Sequence, residues 1–579
     1  MTAKIALAGL AALTALQALL LFDIAARKAN TVDENVYIAA GVDQIRNGNP
    51  ALNGEHPPFA KTLIGGAIVL WDDQAGVLGK YVVEDSTLWN KDPAGIQATL
   101  LVARLPIVLL TLLTTWFVAW GAWLLGGPRG GLIGGALFAL SPNTLAHGSL
   151  ATLDMPVTSF LAAAFVLGGY GWFYRRGPVV WAMAALAGGA LGLALGSKLT
   201  ALFGVPVLVL TVLVDAVRTR RWARGLGFVA LAALAALFVL WAVHGFPLEQ
   251  MPADQTRHRL QRLLGRGGAA LLAHIDPLPF PFGSYVDGLN WQLQHSKRGH
   301  NNYLWGEVGN FGWWYFYFVA LAVKIPLGTQ LLGLAATVEG TWAKRGGWRT
   351  RARFWIPLAF PLVFFLYLSF GSTVQNGIKY LLPAFPLVFV AIGGALGPVW
   401  TRATEGWRRH WTMSRKVRAL WVPALVLVAA LASLRVQPHQ LMFYNVLAGG
   451  PEHGWRYTVH GDDWGQDQNL LGAWQRAQGL DRIGFARYSP RPDRWGIRFS
   501  PVPCMPSAGV FAIHVVELVR PDWAPKRCFE WLKGRTPDEK LGYSIFIYRV
   551  SEAEVGALRD EAPVGVPPLE RWGDAGHVW

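Results

Sequence analysis

Residues 5–24 read IALAGLAALTALQALLLFDI, residues 31–38 read TVDENVYI and residues 55–61 read EHPPFAK. The first stretch is apolar over about the length that crosses a ~30 Å hydrocarbon core. The second places Asp33 and Glu34 just past its end, and the third adds a His56-Pro57-Pro58-x-x-Lys61 loop. Ionisable groups therefore stand at the water edge of an apolar span, and the remaining chain has to say what they are for.

Of the 579 residues, 53% are hydrophobic and only 15% charged, against about 25% charged in a typical soluble domain. Further apolar runs begin near residues 101, 130, 154, 178, 199, 226, 311, 354, 380 and 419. The expected fold class is a polytopic α-helical membrane protein of about eleven transmembrane helices, residues 1–435, with a small C-terminal α/β domain over 436–579. The first run has the Lys4 and Ala25-Ala26 flanks of a signal peptide. It outruns the usual ~7–15-residue apolar core, and more spans follow, so a retained helix is expected. The net charge of +16 would suggest nucleic acid for a soluble chain. Here the clustered Arg and Lys fall in short loops between spans, so nucleic acid is not an expected partner.

Those clusters alternate along the chain. Arg175-Arg176, the group Arg218, Arg220, Arg221 and Arg224, the group Lys344 to Arg353, and the group Arg402 to Arg418 share one face. The positive-inside rule makes that face cytoplasmic and the N-terminus with it. The outer face receives residues 26–100 (a first loop with interfacial helices), the turn at 141–154, the turn at 196–198, a second large loop at 246–310, residues 372–379 and the terminal domain. This predicts a multi-pass protein of the inner (plasma) membrane with an extracytoplasmic, periplasmic C-terminal domain. Short apolar bursts at 482–486, 510–516 and 543–548 predict buried strands, and 470–478 and 551–558 predict helices. Cys504 and Cys528 both lie in that domain, where an oxidising compartment permits a disulfide.

Each unusual polar group falls on the outer face. Asp33 alone reads as a helix cap, with Val36, Tyr37, Ala40, Val42 and Ile45 forming one face of an interfacial helix. Pro57 and Pro58 keep the backbone out of a helix until Phe59, with Lys61 one turn in. Arg104, His147, Asp154 and Lys198 sit at span ends, where a charge is costly unless it faces a cavity. Arg104, Lys61 and Lys198 also suit snorkelling anchors, whereas Asp does not snorkel. Tyr303, Trp305 and Glu307 belong to an aromatic, amide-rich stretch suited to sugar recognition, although an aromatic belt explains the neighbouring Trp313 and Trp314 equally well. Lys379 starts another span, and Asp462, Asp463 and Asp467 are three carboxylates in a short segment, with no ligand spacing that marks a metal site.

In this order, these residues resemble the membrane glycosyltransferases that use polyprenyl- or dolichyl-phosphate sugars. These have the class C architecture, and the closest likeness is to the protein mannosyltransferase-like glycosyltransferase family 39. Asp33-Glu34 matches that family's first acidic pair and His56-Pro57-Pro58-x-x-Lys61 its next motif. Leu153-Asp154, Lys198, Tyr303–Glu307 through Lys324-Ile325-Pro326, Asn376–Pro383 and Asp463-Trp464-Gly465-Gln466 are similar to bacterial relatives. The 246–310 loop is too short for the β-trefoil domain of the eukaryotic members. The resemblance implies transfer of a single sugar, mannose or similar, from a polyprenyl-phosphate donor to an acceptor hydroxyl on a protein, glycan or lipid, with inversion. Asp33 is then the general base, with Glu34 orienting it or the sugar. Arg104, Lys198, His56, Lys61 and Lys379 would neutralise the leaving phosphate, while Asp154, His147, Tyr303, Trp305 and Glu307 would meet substrate. A neutralised phosphate leaves without a cofactor, so none is expected, and no metal.

Two other readings are weaker. A lipid-linked sugar transporter wants polar groups spread through the midplane and two pseudo-symmetric halves, and the charges here crowd one face. An oligosaccharide transferase or polymerase of the same architecture differs in moving a whole glycan and in its metal dependence.

Overall fold

The computed structural model describes residues 1–49, 52–74, 89, 91–248, 281–342, 348–405, 413–489, 491–522 and 524–558. Seven helices among the described residues are long and apolar enough to cross a membrane, or eight if the bent pair Phe316–Lys324 and Leu327–Thr341 is one span. Three of the eleven expected runs are not among these. The runs near 354 and 419 form the helices Trp348–Phe370 and Met413–Leu434, with apolar stretches over Phe354–Phe370 and Ala419–Leu434. The run near 130 belongs to Pro93–Ala139, which reverses direction at Gly127 (φ 70°, ψ −169°). That left-handed backbone is open to glycine and closed to most side chains, and Pro128 then opens the returning helix.

The first helix, α1 (Ala3–Arg27), leads into a short extended segment. Helix α2 (Val32–Asn47) and helix α3 (Phe59–Trp71) follow it. They pack backbone to backbone through Gly41 and Gly65, where a methyl group on Gly65 would stand 2.2 Å from the Gly41 carbonyl carbon. Helix α2 begins two residues earlier than an Asp33 cap implies. Thr31 is its N-cap, and Glu34 reaches back to the Thr31 N–H at 2.9 Å. Helix α4 (Pro93–Ala139) carries the reversal, and the bend and its returning arm lie close against a helix over Phe385–Glu405, with glycines at the tightest approach. A methyl on Gly126 or Gly130 would stand 2.6 Å or 2.7 Å from the Gly393 carbonyl. Membrane helices approach this closely where small residues line the seam. Leu19, Leu109, Leu210, Leu234 and Leu334 stand exposed around the bundle, as lipid-facing residues do.

At one end of the bundle the basic loops meet. Arg224 donates to the Arg175 carbonyl at 3.0 Å, and Arg402 pairs with Glu339 at 2.6 Å. The side chains of Lys344, Arg345, Arg349, Arg351, Arg353, Arg408, Arg409, Arg415, Lys416 and Arg418 lie outside the described residues.

The opposite end carries the C-terminal domain. Its mixed sheet has five strands: β1 (Ile483–Ala486), β2 (Phe499–Ser500), β3 (Gly509–His514), β4 (Glu539–Leu541) and β5 (Ile545–Val550). In spatial order they run β2-β1-β3-β5-β4, parallel on the β1 side and antiparallel at β5. The three apolar bursts form the central strands and the expected helices appear as Gln468–Ala477 and Glu552–Leu558. The edge strands β2 and β4 are too short and too polar to announce themselves. Cys504 and Cys528 are joined in a disulfide.

The domain is held to the bundle by backbone and charge. Ala29 and Val32 donate their N–H groups to the carbonyls of Gln466 (2.9 Å) and Trp464 (3.1 Å). Lys28 pairs with Asp467 at 2.5 Å and Lys324 with Asp462 at 2.9 Å, all four side chains buried. Asp463 takes His514 at 2.9 Å. The three neighbouring carboxylates thus meet three different basic side chains rather than one another.

Candidate active site

Several span ends gather beneath the C-terminal domain. Helix α1 ends there, α4 starts, Asp154 opens its helix, Ser197 closes another and a 3-10 turn begins at Ile378. Charges brought to these ends by separate parts of the chain become neighbours.

Glu34 and Arg104 form the foundation. Both side chains are wholly buried and pair at 2.7 Å through Nε and again through Nη2. The guanidinium also donates to the carbonyls of Ala25, Lys28 and Ala29 at 2.7–2.8 Å. Glu34 accepts further from the N–H groups of Thr31 and Ala151. Burial alone would raise the Glu34 carboxyl, but Arg104 and these N–H donors outweigh it and hold it below the usual range. An isolated charge here would be very costly, and a fully hydrogen-bonded pair removes most of that cost. The geometry corrects two expectations. Arg104 has its donors committed to the protein and does not face a phosphate, and Glu34 fixes the exit of α1 and the start of α2 rather than touching a sugar.

Asp33, one residue earlier on α2, points the other way. Its side chain is 31% exposed and meets Lys379 loosely, at 3.5 Å, with the Tyr37 hydroxyl donating at 3.4 Å. Lys379 is buried, and its ammonium lies 3.4 Å from the centre of the Trp464 ring. Lys198 pairs with Asp154 at 2.6 Å and lies 5.0 Å from the Tyr380 ring. Asp154, Lys198, Lys379 and His147 are within electrostatic reach of one another. An ammonium has three donors, so Lys198 and Lys379 keep hydrogen-bonding capacity that Arg104 lacks. His147 meets the edge of Trp464 at 6.3 Å, and its Nδ1 has no partner.

The His56-Pro57-Pro58 loop closes the group from the α3 side. The His56 ring stands 6.0 Å from Tyr37, its Nδ1 without a partner. Burial, with Lys198 and Lys61 nearby, pushes its pKa well below the usual histidine value, so the ring is neutral. Lys61 donates to the carbonyls of Asn53 (2.6 Å) and His56 (2.8 Å), and burial lowers it to about 8. Lys61 therefore shapes the loop from beneath rather than snorkelling outward.

The 302–309 stretch is placed elsewhere. It forms a hairpin, Asn302–Leu304 against Glu307–Gly309, turned by Trp305 and Gly306 at positive φ. Tyr303 is buried and donates to the Arg456 carbonyl at 3.1 Å, while Trp305 and Glu307 are exposed. The hairpin meets residues 456–457 of the terminal segment, and the structure does not bring Tyr303, Trp305 or Glu307 into the Asp33 group. Residues 249–280 of the same expected loop lie outside the described residues.

Tyr37, Tyr380 and Trp464 join the group although the sequence assigned them no role in the site. Tyr37 is one helical turn from Asp33, and Tyr380 is adjacent to Lys379, so both follow once helix α2 and the 378 turn are placed. Trp464 stands among the residues similar to bacterial relatives, but nothing local tied it to Lys379.

Residues 11–245 match the family described as dolichyl-phosphate-mannose-protein mannosyltransferase. The matched segment contains Asp33, Glu34, His56, Lys61, Arg104, His147, Asp154 and Lys198. The expected resemblance to lipid-phosphate-sugar glycosyltransferases is met there. No curated protein matches the chain. Among solved structures, apo ArnT from Cupriavidus metallidurans is similar at 12% identity and TM-score 0.48, covering 94% of this chain and 98% of its own. The oligosaccharyltransferase AglB from Archaeoglobus fulgidus is similar at 13% identity and TM-score 0.47, over 85% of this chain and 60% of its own. The arabinofuranosyltransferase AftD from Mycobacteria is similar at 13% identity and TM-score 0.40, over 87% and 35%.

Proposed function

We propose that this chain is an integral-membrane glycosyltransferase that moves one sugar from a polyprenyl-phosphate donor to an acceptor hydroxyl at the outer membrane face, inverting the anomeric carbon. The observation that carries the reading is the contrast between adjacent acids on α2. Glu34 is locked into Arg104 and the backbone, whereas Asp33 is part-exposed and held only loosely by Lys379 and Tyr37. A hydroxyl is a poor nucleophile, and a positioned carboxylate that takes its proton during attack lowers the barrier. Asp33 is that base in this proposal.

The leaving phosphate gains charge as the glycosidic bond breaks, and fixed cations aimed at it stabilise that charge. Lys198 and Lys379 fill this role, each held by a carboxylate with donors to spare. Phosphate drawing on Lys379 competes with Asp33 for the same ammonium, which frees the carboxylate for the acceptor proton. Asp154 positions Lys198, and His56 and His147, with a ring nitrogen each unsatisfied, are candidates for sugar hydroxyls. The N-terminus and basic loops are cytoplasmic in this reading, and the C-terminal domain, with its disulfide, is extracytoplasmic. The acceptor is a protein, glycan or lipid hydroxyl.

Asp33→Asn tests the assignment in proteoliposomes supplied with a lipid-linked sugar pool. Transfer should fall by at least 100-fold, with the variant folded and still binding polyprenyl phosphate. Activity within a few-fold of wild type would remove Asp33 from the base role.

A further inference from the structure

Among the described residues Lys379 has few close partners. Its stem is flexible and its ammonium is compact and strongly hydrated in water, yet it is buried at 3% exposure. Asp33 approaches no closer than 3.5 Å, longer than a well-formed charge-assisted hydrogen bond. The nearer restraint is the face of Trp464, 3.4 Å away at the ring centre, and indole is the best aromatic partner for a cation.

Trp464 is itself fixed. It is 1% exposed; its backbone N–H donates to Gln466 Oε1 at 2.7 Å and its backbone carbonyl accepts from the Val32 N–H at 3.1 Å. The preceding Asp462 and Asp463 are tied to Lys324 and His514. The indole thus enters from the terminal segment at a position set by both the bundle and the outer domain. A ring has an advantage over another carboxylate at this place. It holds the cation without neutralising it, and leaves the full positive charge for an arriving phosphate.

We infer that Trp464 is a positioning residue for the donor phosphate: its indole face holds the Lys379 ammonium in place, so the reaction site is complete only with the C-terminal segment seated. The inference rests on the glycosyl-transfer reading above. Its test is the affinity of the reconstituted full-length protein for polyprenyl phosphate, which needs no knowledge of the sugar.

Site-specific replacement of Trp464 by indoles bearing one, two or three fluorines withdraws charge from the ring face with little change of shape. The dissociation constant should rise stepwise along this series, reaching roughly 30-fold for Trp464→Leu, with Trp464→Phe between. In a Lys379→Met background the series should be flat. A series flat in the wild-type background, or one equally steep in Lys379→Met, overturns the role of Trp464. If Lys379→Met alone leaves affinity unchanged, the donor-site reading fails as well.

Discussion

Replacing Glu34 by Gln changes one oxygen for an NH2 group and removes one charge. The structure says what that does. Oε1 accepts from Arg104 Nε at 2.7 Å and Ala151 N at 2.8 Å, and Oε2 accepts from Arg104 Nη2 at 2.7 Å and Thr31 N at 2.9 Å. Whichever oxygen is lost, two N–H donors come to face an amide donor, and Arg104 remains charged in a site of 0% exposure. Removing one partner of a buried pair costs about 3–5 kcal/mol. Thermal unfolding of the detergent-solubilised protein, followed by intrinsic fluorescence, reads the loss. Glu34→Gln should unfold well below wild type and accumulate poorly, while Asp33→Asn unfolds close to wild type and is inactive. The reasoning is refuted if Glu34→Gln is as stable as wild type and loses only transfer, because Glu34 would then act on substrate rather than on the fold.

Histidine burial sets an acid limit. His56 and His460 are held well below the usual value and His300 is lowered to about 3, burial being the largest cause in each. The unfolded chain takes up protons near pH 6.5 that the folded chain refuses, so stability is retained above that pH. It falls beneath it by at most about 4 kcal/mol per pH unit for three such groups. Melting temperatures measured between pH 7.5 and 5.5 should drop steeply on the acid side, and a shallower drop in His56→Gln checks the assignment. The glycine seam gives a separate outcome. Gly130→Val drives a side chain into the Gly393 carbonyl and should prise the returning arm of α4 from Phe385–Glu405, lowering folded yield in size-exclusion chromatography. The exposed Gly556, which has nothing near a built Cβ, should tolerate the same change.

Much of this fold was legible in sequence because hydropathy is a local property. The apolar runs, the α2 and α3 helices and the three central strands all announce themselves within a few residues. The site was legible in part. Asp33, Asp154, Lys198 and Lys379 sit at span ends, and topology alone places them on one face. Long-range pairing was not legible. Arg104 reads as a phosphate ligand until its carbonyl partners at 25, 28 and 29 are known, and those lie 75 to 79 residues away. Lys28 meets Asp467 across 439 residues, a distance over which no spacing rule speaks. One local signal does bear on Glu34: Thr31-x-x-Glu34 is the pattern of a capping box, which assigns Glu34 to the helix start.

The ion pairs that fasten the terminal domain limit how such a protein can be re-engineered or diversified. Cutting the chain after Leu434 strands Lys28 and Lys324 in apolar surroundings on one piece, and leaves Asp462 and Asp467 with the other. Neither fragment inherits a neutral face to cover with water. A terminal domain grafted from another protein would have to bring carboxylates that meet Lys28 and Lys324, which stay behind on the bundle, so the two halves are expected to change together and not by exchange of a cassette.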